Sequence, residues 1–200
     1  MSINLLETVQ KNLGYPPLHK IDPNATDSTW DKTPLENRFG QAAIPAVLTA
    51  LYLCVQGDEC AQDVLDHDST TGWVDRIFSD NTRPAIQIIA DYSIQSKEET
   101  VRRMDMIAAE AVKVVKSQIP PHGNIKDLKA FFLNQRNNFL LYLPNQLHMG
   151  EMLHNNTVDD NVNKMEGPIS TFMRKLGSMF SNPVTEKEVK LPEDRYEDWK

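Results

Sequence analysis

The sequence predicts an all-α fold, an irregular bundle of about seven to nine helices in which proline breaks several of the helices. Apolar residues recur at three- and four-residue steps through much of the chain, which is the spacing of one face of a helix. Residues that cap helices precede many of these stretches, and no segment shows the clear alternation of a strand. A chain of 200 residues is long enough to bury a sizeable core.

The first predicted helix covers about 5–13. Asn4 and Glu7 resemble a capping box, and Gly14 is a natural C-terminal stop. Residues 15–32 are rich in Pro, Asp, Asn and Thr, which predicts a long loop.

The second predicted helix has a stronger start signal. Thr33 can cap it, Pro34 suits the first helical position and Glu36 suits the third. The helix should run toward Gln56, and Pro45 should kink or split it, because proline cannot donate to the helical hydrogen-bond ladder.

Four more helical segments precede the double proline. Residues 58–66 add a turn or two, Trp73 begins a short helix and Pro84 opens another. The clearest helix is 97–118, which a capping box at Ser96 begins.

The longest aromatic-rich apolar stretch, 124–155, is expected to organise the fold. Asn124 and Asp127 favour a helix start, and apolar residues then recur at helical spacing. A polar block at 134–138 interrupts this apolar face. Pro144 predicts a break, after which a short second helix follows.

This stretch carries a family resemblance. The segment looks like the closing part of the YidB-like family, small all-helical bacterial domains of unknown function, and two earlier segments are similar to that family's earlier helices. The resemblance implies an all-helical fold and implies no activity, and the two polar inserts at 15–33 and 57–72 depart from the family pattern. The residues that carry it are Leu128, Phe132, Gln135-Arg136, Leu143-Pro144, Leu147, Gly150 and Leu153, with Ala42–Leu48 and Ile3–Leu6.

Composition excludes several function classes. A net charge of −7 argues against binding nucleic acid, which requires a basic face. No apolar run is long enough to span a membrane, and the N-terminus does not have the pattern of a signal peptide. Cys54 and Cys60 show no secreted disulfide framework, so we expect both to be reduced and the protein to be cytoplasmic.

One cluster has the composition of a metal site. His148, Glu151 and His154 follow each other at three-residue steps, and Glu-x-x-His is the half-motif of di-iron helical bundles. Ligands from other helices, such as Glu110 or His122, would have to complete it. A solvated polar helix end is the simpler interpretation, so no cofactor is expected unless this divalent-metal alternative holds.

Two other polar groups have simple interpretations. The aspartates around His67, among them Asp63 and Asp66, could assist a general base, but the segment is rich in turn formers and is expected to be a solvated loop. Arg102 and Arg103 are expected to lie on an exposed, charged helix face that forms spaced ion pairs.

The domain organisation predicted is a helical core at 1–155, an amphipathic helical segment at 156–180 and a flexible polar tail at 181–200. The amphipathic segment includes a helix at about 168–180 with a broad, methionine-containing apolar face, which is typical of helices that bind a partner groove. Its candidate partner-binding residues are Ile169, Phe172, Met173, Leu176 and Phe180.

The function predicted from these patterns is a non-catalytic bacterial module for protein–protein interaction or assembly. It would bind a protein partner or form a homo-oligomer through the terminal helix. The alternative is a metal-dependent helical-bundle enzyme that uses His148, Glu151 and His154. Binding of the basic terminal helix to a membrane surface is the least favoured option.

Overall fold

A computed structural model describes residues 3–21, 33–67, 69–144, 147 and 149–153. All of them belong to one compact unit, Met1–Glu166, and the other unit, Gly167–Lys200, lies outside the described residues. Within the described part, every regular element is helical, so the predicted all-α class is confirmed. The predicted helix count refers to the whole chain and stays a prediction.

The helices are joined by connections of different lengths, one of which is a 3-10 turn, Ser79–Asn81, between α4 and α5. In order they are α1 Leu5–Asn12, α2 Leu35–Cys54, α3 Asp58–Asp66, α4 Trp73–Phe78, α5 Thr82–Ser93, α6 Lys97–Gln118, α7 Ile125–Leu140 and α8 Met149–Met152.

Helix α2 forms the centre of the molecule. It contacts α1, α4, α5, α6 and α7, and every residue from Phe39 to Tyr52 is buried. A helix that is apolar on all sides has to be covered on all sides. The structure is therefore organised around α2, and the stretch expected to take that place, 124–155, supplies one of its neighbours, α7.

Small residues let other segments approach α2 closely. A Cβ added at Gly40 would lie 3.0 Å from the ring of Tyr15, so the absence of a side chain at Gly40 makes room for that ring. Tyr15 in turn stacks on Phe39, with 6.2 Å between ring centroids. The chain after α1 is thereby fixed against the first turns of α2.

Three predicted helix starts are confirmed at the level of their caps. The side chain of Asn4 accepts from Glu7 N at 3.3 Å, and Ser96 Oγ accepts from Glu99 N at 3.2 Å. Asn124 and Asp127 form a complete capping box at the start of α7. Each side chain satisfies amide groups that a helix end leaves without a partner in the helix.

Helix α2 departs from its predicted start. Pro34 occupies the cap position and the helix begins at Leu35, so the cap expected at Thr33 is wrong by one residue. The carbonyl of Thr33 instead accepts from Arg38 Nε at 3.2 Å. The helix also continues through Pro45, where no split occurs. Packing on all sides stabilises α2 despite the hydrogen bond that proline removes.

A buried glutamine fixes the extended segment that follows α1. Gln41 Oε1 accepts from His19 N at 2.9 Å, and Gln41 Nε2 donates to the carbonyls of His19 and Tyr142, each at 2.9 Å. One amide side chain thus pairs with both backbone groups of His19, as a neighbouring strand would. Ile21 N extends this arrangement by donating to Leu141 O at 2.8 Å.

A second glutamine fixes the N-terminus to α7. Gln135 Oε1 accepts from Leu5 N at 2.9 Å, and its Nε2 donates to Ile3 O at 2.8 Å. Gln135 and Arg136 belong to the polar block at 134–138 that was expected to interrupt the apolar face of α7. Both are buried, and the side-chain amide of Gln135 pairs with the backbone of Ile3 and Leu5 inside the molecule.

The two cysteines are joined, which makes the expectation of reduced thiols wrong. Cys54 ends α2, Cys60 lies in the first turns of α3, and the two helices bend by 114° at the break between them. This bend brings the two Cα atoms to 5.7 Å, a normal separation for a disulfide, and the Cys54–Cys60 disulfide is formed.

Among the helices that the structure describes, none is by itself both long enough and apolar enough to cross a membrane, although α2 and α3 taken together meet the length and composition criteria as a bent pair.

Candidate functional site

A surface groove of about 960 Å³ lies between α3 and the corner that joins α6 to α7. We call it the α3–α7 groove. Apolar side chains form part of its lining, and charged side chains stand among them. Its lining residues are Asp58, Gln62, Leu65, Asp66, Lys116, Ile119, Pro120, Pro121, Gly123, Asn124, Ile125, Lys126 and Lys129.

Helix α3 forms one wall of this groove. Ala61 and Val64 are its buried residues, and α3 packs against α7. Leu65 and the polar residues Asp58, Gln62 and Asp66 line the groove. One face of α3 therefore packs against the core, and another face lines the groove, where a ligand can contact it.

The α6–α7 corner forms the opposite wall. Pro120 and Pro121 end α6, and Gly123 N donates to the Pro120 carbonyl at 2.7 Å in a tight turn. A Cβ at Gly123 would overlap the side chain of Ile119, so glycine is required for this close turn. The capping box at Asn124 then starts α7 immediately. Rigid connections of this kind hold the groove wall in place.

The net charge of the groove lining is positive, whereas the net charge of the whole protein is negative. The protein carries a net charge of −7, whereas three lysines and two aspartates are among the described lining residues. Lys129 Nζ lies 2.6 Å from Asp58 Oδ1, and Lys116 Nζ donates to the carbonyl of His67 at 2.8 Å. Lys126 is exposed, and no ion pair within the described part of the chain involves it. The groove is thus a locally basic site on an acidic protein.

A second groove of about 570 Å³ shares Lys116 with the α3–α7 groove and is lined by His67 as well. Its lining is mostly apolar and includes Leu13, Met106 and Val112. Met106 is 47% exposed at this groove.

The predicted metal site falls almost wholly outside the described residues. His148 and His154 are not described, and of Glu151 only the backbone is, within α8. Helix α8, Met149–Met152, confirms the short helix predicted after Pro144. Among the described side chains, no group of three potential ligands is close enough to hold a metal ion. The proposed three-residue cluster therefore stays a prediction.

The two residues named as additional ligands have other roles in the structure. Glu110 accepts from Asn12 Nδ2 at 2.7 Å, which connects α6 to the end of α1. It also lies 3.4 Å from Lys113 Nζ. His122 is exposed at the α6–α7 corner.

The predicted partner-binding residues are also outside the described part of the chain. They are Ile169, Phe172, Met173, Leu176 and Phe180.

The aspartate–histidine group is a pair of solvent-exposed side chains at the end of α3. His67 Nδ1 lies 3.6 Å from Asp63 Oδ1, and their side chains are 50% and 43% exposed. Exposure of this degree favours the solvated interpretation over that of an oriented catalytic base, which requires a fixed environment.

The two arginines of α6 differ from each other. Arg102 forms the expected exposed ion pair with Glu99 at 2.6 Å, and the hydrogen bonds from Arg102 lower the pKa of Glu99. Arg103, expected on the same charged face, instead covers the ring of Phe39 at 3.8 Å and donates to Gln95 at 3.0 Å. The planar guanidinium stacks on aromatic faces, so Arg103 is a packing residue.

Sequence reasoning missed the α3–α7 groove. Two of the lysines that line it, Lys126 and Lys129, lie 10 and 13 residues after Lys116 in the sequence. The aspartates come from α3. No local motif connects them. The one available signal was Pro120-Pro121 followed by Gly123 and a capping box, which predicts a sharp corner between two long helices.

No protein-family model, curated protein or solved structure matches the chain.

Proposed function

We propose that this protein is a non-catalytic interaction module that docks an acidic segment of a partner protein in the α3–α7 groove. The observation that carries the proposal is the basic lining of this groove on a protein with a net charge of −7. The proposal retains the bacterial and cytoplasmic setting and the assembly role predicted from the sequence.

The apolar part of the groove supplies contact area for such a segment. Leu65, Ile119 and Ile125 line it together with Pro120 and Pro121. Burial of apolar side chains contributes about 25 cal/mol per Å² of area removed from water. An extended peptide with a few apolar side chains can therefore gain affinity here without any catalytic group.

The lysines supply selectivity. Lys126 is exposed at the start of α7, and Lys129 is already engaged by Asp58. An acidic residue of the partner can pair with Lys126 without breaking an existing contact. Complementary charge at an interface raises the association rate and disfavours partners of the wrong sign.

The test begins with random peptides displayed on phage and selected against the immobilised full chain. We expect the enriched peptides to carry more Asp and Glu than Lys and Arg. An enriched peptide, labelled with fluorescein, should then bind about five- to tenfold more weakly to a Lys126→Glu variant, because reversal of one charge at an interface rim costs about 1 kcal/mol.

Lys97→Glu is the matched control, since it makes the same charge change at the other end of α6. Lys97 lies about 28 Å along the helix axis from Lys116, at about 1.5 Å per residue. We expect its effect on the Kd to be less than twofold. Enrichment of basic peptides, or equal weakening by both variants, would reject the groove as the binding site.

The terminal segment is a second proposed contact, on the strength of its sequence pattern alone. Its apolar residues at 168–180 have the spacing of one helix face. If this segment mediates self-association, a chain that ends at Asn155 should have a smaller mass in size-exclusion chromatography with light scattering. Its circular dichroism spectrum should remain that of a helical protein. An unchanged oligomeric state would remove the segment from the proposal.

Metal content separates the interaction proposal from the enzyme alternative. The interaction proposal expects the purified, untagged protein to contain no stoichiometric metal. Zinc, iron or manganese at one equivalent or more, lost in both His148→Ala and His154→Ala variants, would favour the metal-dependent enzyme.

A further inference from the structure

The Cys54–Cys60 disulfide lies at the hinge between the central helix and a wall of the groove. Both cysteines are half-buried, so solvent reaches the pair. The bond joins the last residue of α2 to the first turns of α3 across a bend of 114°. It therefore fixes the direction in which α3 leaves the core.

Within the described part of the chain, α3 is otherwise held by its packing against α7, by the hydrogen bond from Lys116 to the carbonyl of His67 and by one ion pair. The helix has nine residues, and only Ala61 and Val64 are buried. A helix this short is not stable in water without packing. Its ion pair with Lys129 involves Asp58, whose side chain is 80% exposed, and such pairs contribute little. The disulfide therefore contributes a large part of the stabilisation that holds α3 against the core.

We propose that the Cys54–Cys60 disulfide is a redox-controlled clasp, whose reduction releases α3 and removes one wall of the α3–α7 groove. The release of α3 stands on the contacts of α3 alone. Its consequence for peptide docking rests on the function proposed above.

The reaction is a two-electron thiol–disulfide exchange with a dithiol reductant. One thiolate of the reductant attacks a sulfur of the pair, the bond between the two sulfurs breaks, and the departing cysteine takes up a proton. The second thiolate of the reductant then attacks the reductant sulfur of this mixed disulfide and displaces the other cysteine, which takes up a proton. The products are two cysteine thiols and an oxidised, disulfide-bonded reductant. In a reducing cytoplasm this exchange would favour the open state, and oxidation would restore the closed one.

The carbonyl of Arg76 provides a contact for the reduced state. Its oxygen lies 3.7 Å from Cys54 Sγ. The sulfur of a disulfide has no proton to donate, whereas a Cys54 thiol can donate to this carbonyl. Reduction would thus replace the covalent connection to α3 by a weak hydrogen bond to α4, which keeps the end of α2 in place while α3 is released.

Hydrogen exchange of the full chain, oxidised or treated with dithiothreitol, tests the clasp without any ligand. We expect the amides of 58–66 to lose protection about 10- to 50-fold on reduction, the range expected when a short disulfide ring no longer restricts the open state. The amides of 104–115 in α6 should not change by more than about twofold and serve as the internal reference.

A Cys54→Ser/Cys60→Ser double variant is the matched control. It should exchange like the reduced protein and be indifferent to dithiothreitol. If this variant fails to fold, the reduced wild type alone decides, with alkylation and mass measurement to confirm that both thiols are present. Equal protection of 58–66 in the oxidised and fully reduced protein would overturn the clasp.

Affinity for the enriched peptide is measured separately on both forms. Loss of protection with a weakened Kd supports both proposals. Loss of protection with an unchanged Kd leaves the clasp standing and rejects the α3–α7 groove as the docking site.

Discussion

Ile94 has an unfavourable backbone conformation at the corner between α5 and α6. Its φ is +54°, in the left-handed region that β-branched residues rarely adopt, and it caps the C-terminus of α5. Ile94 is 69% exposed, so burial of its side chain contributes little free energy to offset the cost of the positive φ. The tight corner is retained because it sets α6 against α5, where Arg103 and Gln95 meet.

Replacement of Ile94 by glycine should stabilise the protein by about 1 kcal/mol, because glycine adopts a positive φ without steric cost. Chemical denaturation followed by circular dichroism measures the change. Ile94→Ala is the control and should give a smaller gain, since alanine keeps a Cβ. A loss of stability in the glycine variant would show that the exposed isoleucine side chain makes a contact that matters more than its backbone.

Thr100 is a second residue whose local environment lowers the stability of the folded protein. It is fully buried in the first turns of α6, and its Oγ1 has no hydrogen-bond partner among the residues that the structure describes. Thr100→Val replaces the hydroxyl by a methyl group of similar size and should raise the free energy of unfolding by about 1 kcal/mol. Thr100→Ser retains the hydroxyl and loses the methyl group, so it should destabilise. Equal stability of the valine and wild-type proteins would imply that water reaches this hydroxyl.

At the scale of elements, the glutamines at 41 and 135 connect segments that are far apart in sequence. Gln41 in α2 pairs with His19 on the extended segment and with Tyr142 after α7. A helix, an incoming segment and an outgoing segment therefore meet at one amide group.

Gln41→Glu tests this meeting point while it keeps the size of the side chain. The carboxylate has no N–H to offer the two carbonyls, so both lose their donor in a buried place, and we expect a loss of about 2–4 kcal/mol. Gln118→Glu, at an exposed position of α6, is the control and should change the stability by less than about 0.5 kcal/mol. Urea denaturation measures both. A cost below about 1 kcal/mol at Gln41 would contradict the role assigned to it.

The helices themselves were largely predictable, because their signals are local. Ser96 with Glu99 and Asn124 with Asp127 lie within one turn, and the helix starts that they predict are confirmed. The partners of Gln41 and Gln135 lie 22 to 132 residues away, and a glutamine in a polar block looks exposed when only its neighbours are considered. The groove was hidden for the same reason, since α3, α6 and α7 contribute its charges from separate parts of the chain.

At the scale of the whole molecule, two buried phenols set its response to alkali. Burial raises the pKa of Tyr52, and Arg136 opposes that shift. Burial also raises the pKa of Tyr92, against smaller opposing effects of Arg38 and Thr33. The folded state therefore holds these protons more tightly than the unfolded chain, whose tyrosines titrate near 10.0.

The stabilisation from these neutral phenols is complete below pH 10 and is lost as the pH rises through the folded pKa of each group. We expect the free energy of unfolding to fall above pH 10 by up to about 1.4 kcal/mol per pH unit for each tyrosine. Tyr92→Phe should reduce this slope, and its curve should run parallel to that of the wild type below pH 9. Parallel curves above pH 10 as well would show that Tyr92 does not titrate in this range.

The enclosure of the middle of α2, from Phe39 to Tyr52, has a consequence for biosynthesis. Its coverings come from both sides of the sequence, and α7, which ends at Leu140, is made after α2 is finished at Cys54. At about 5–20 residues per second, the ribosome needs roughly 4 to 17 s to make the intervening chain. For that time the nascent protein carries a helix with no polar face and an incomplete cover, which is the kind of segment that chaperones bind.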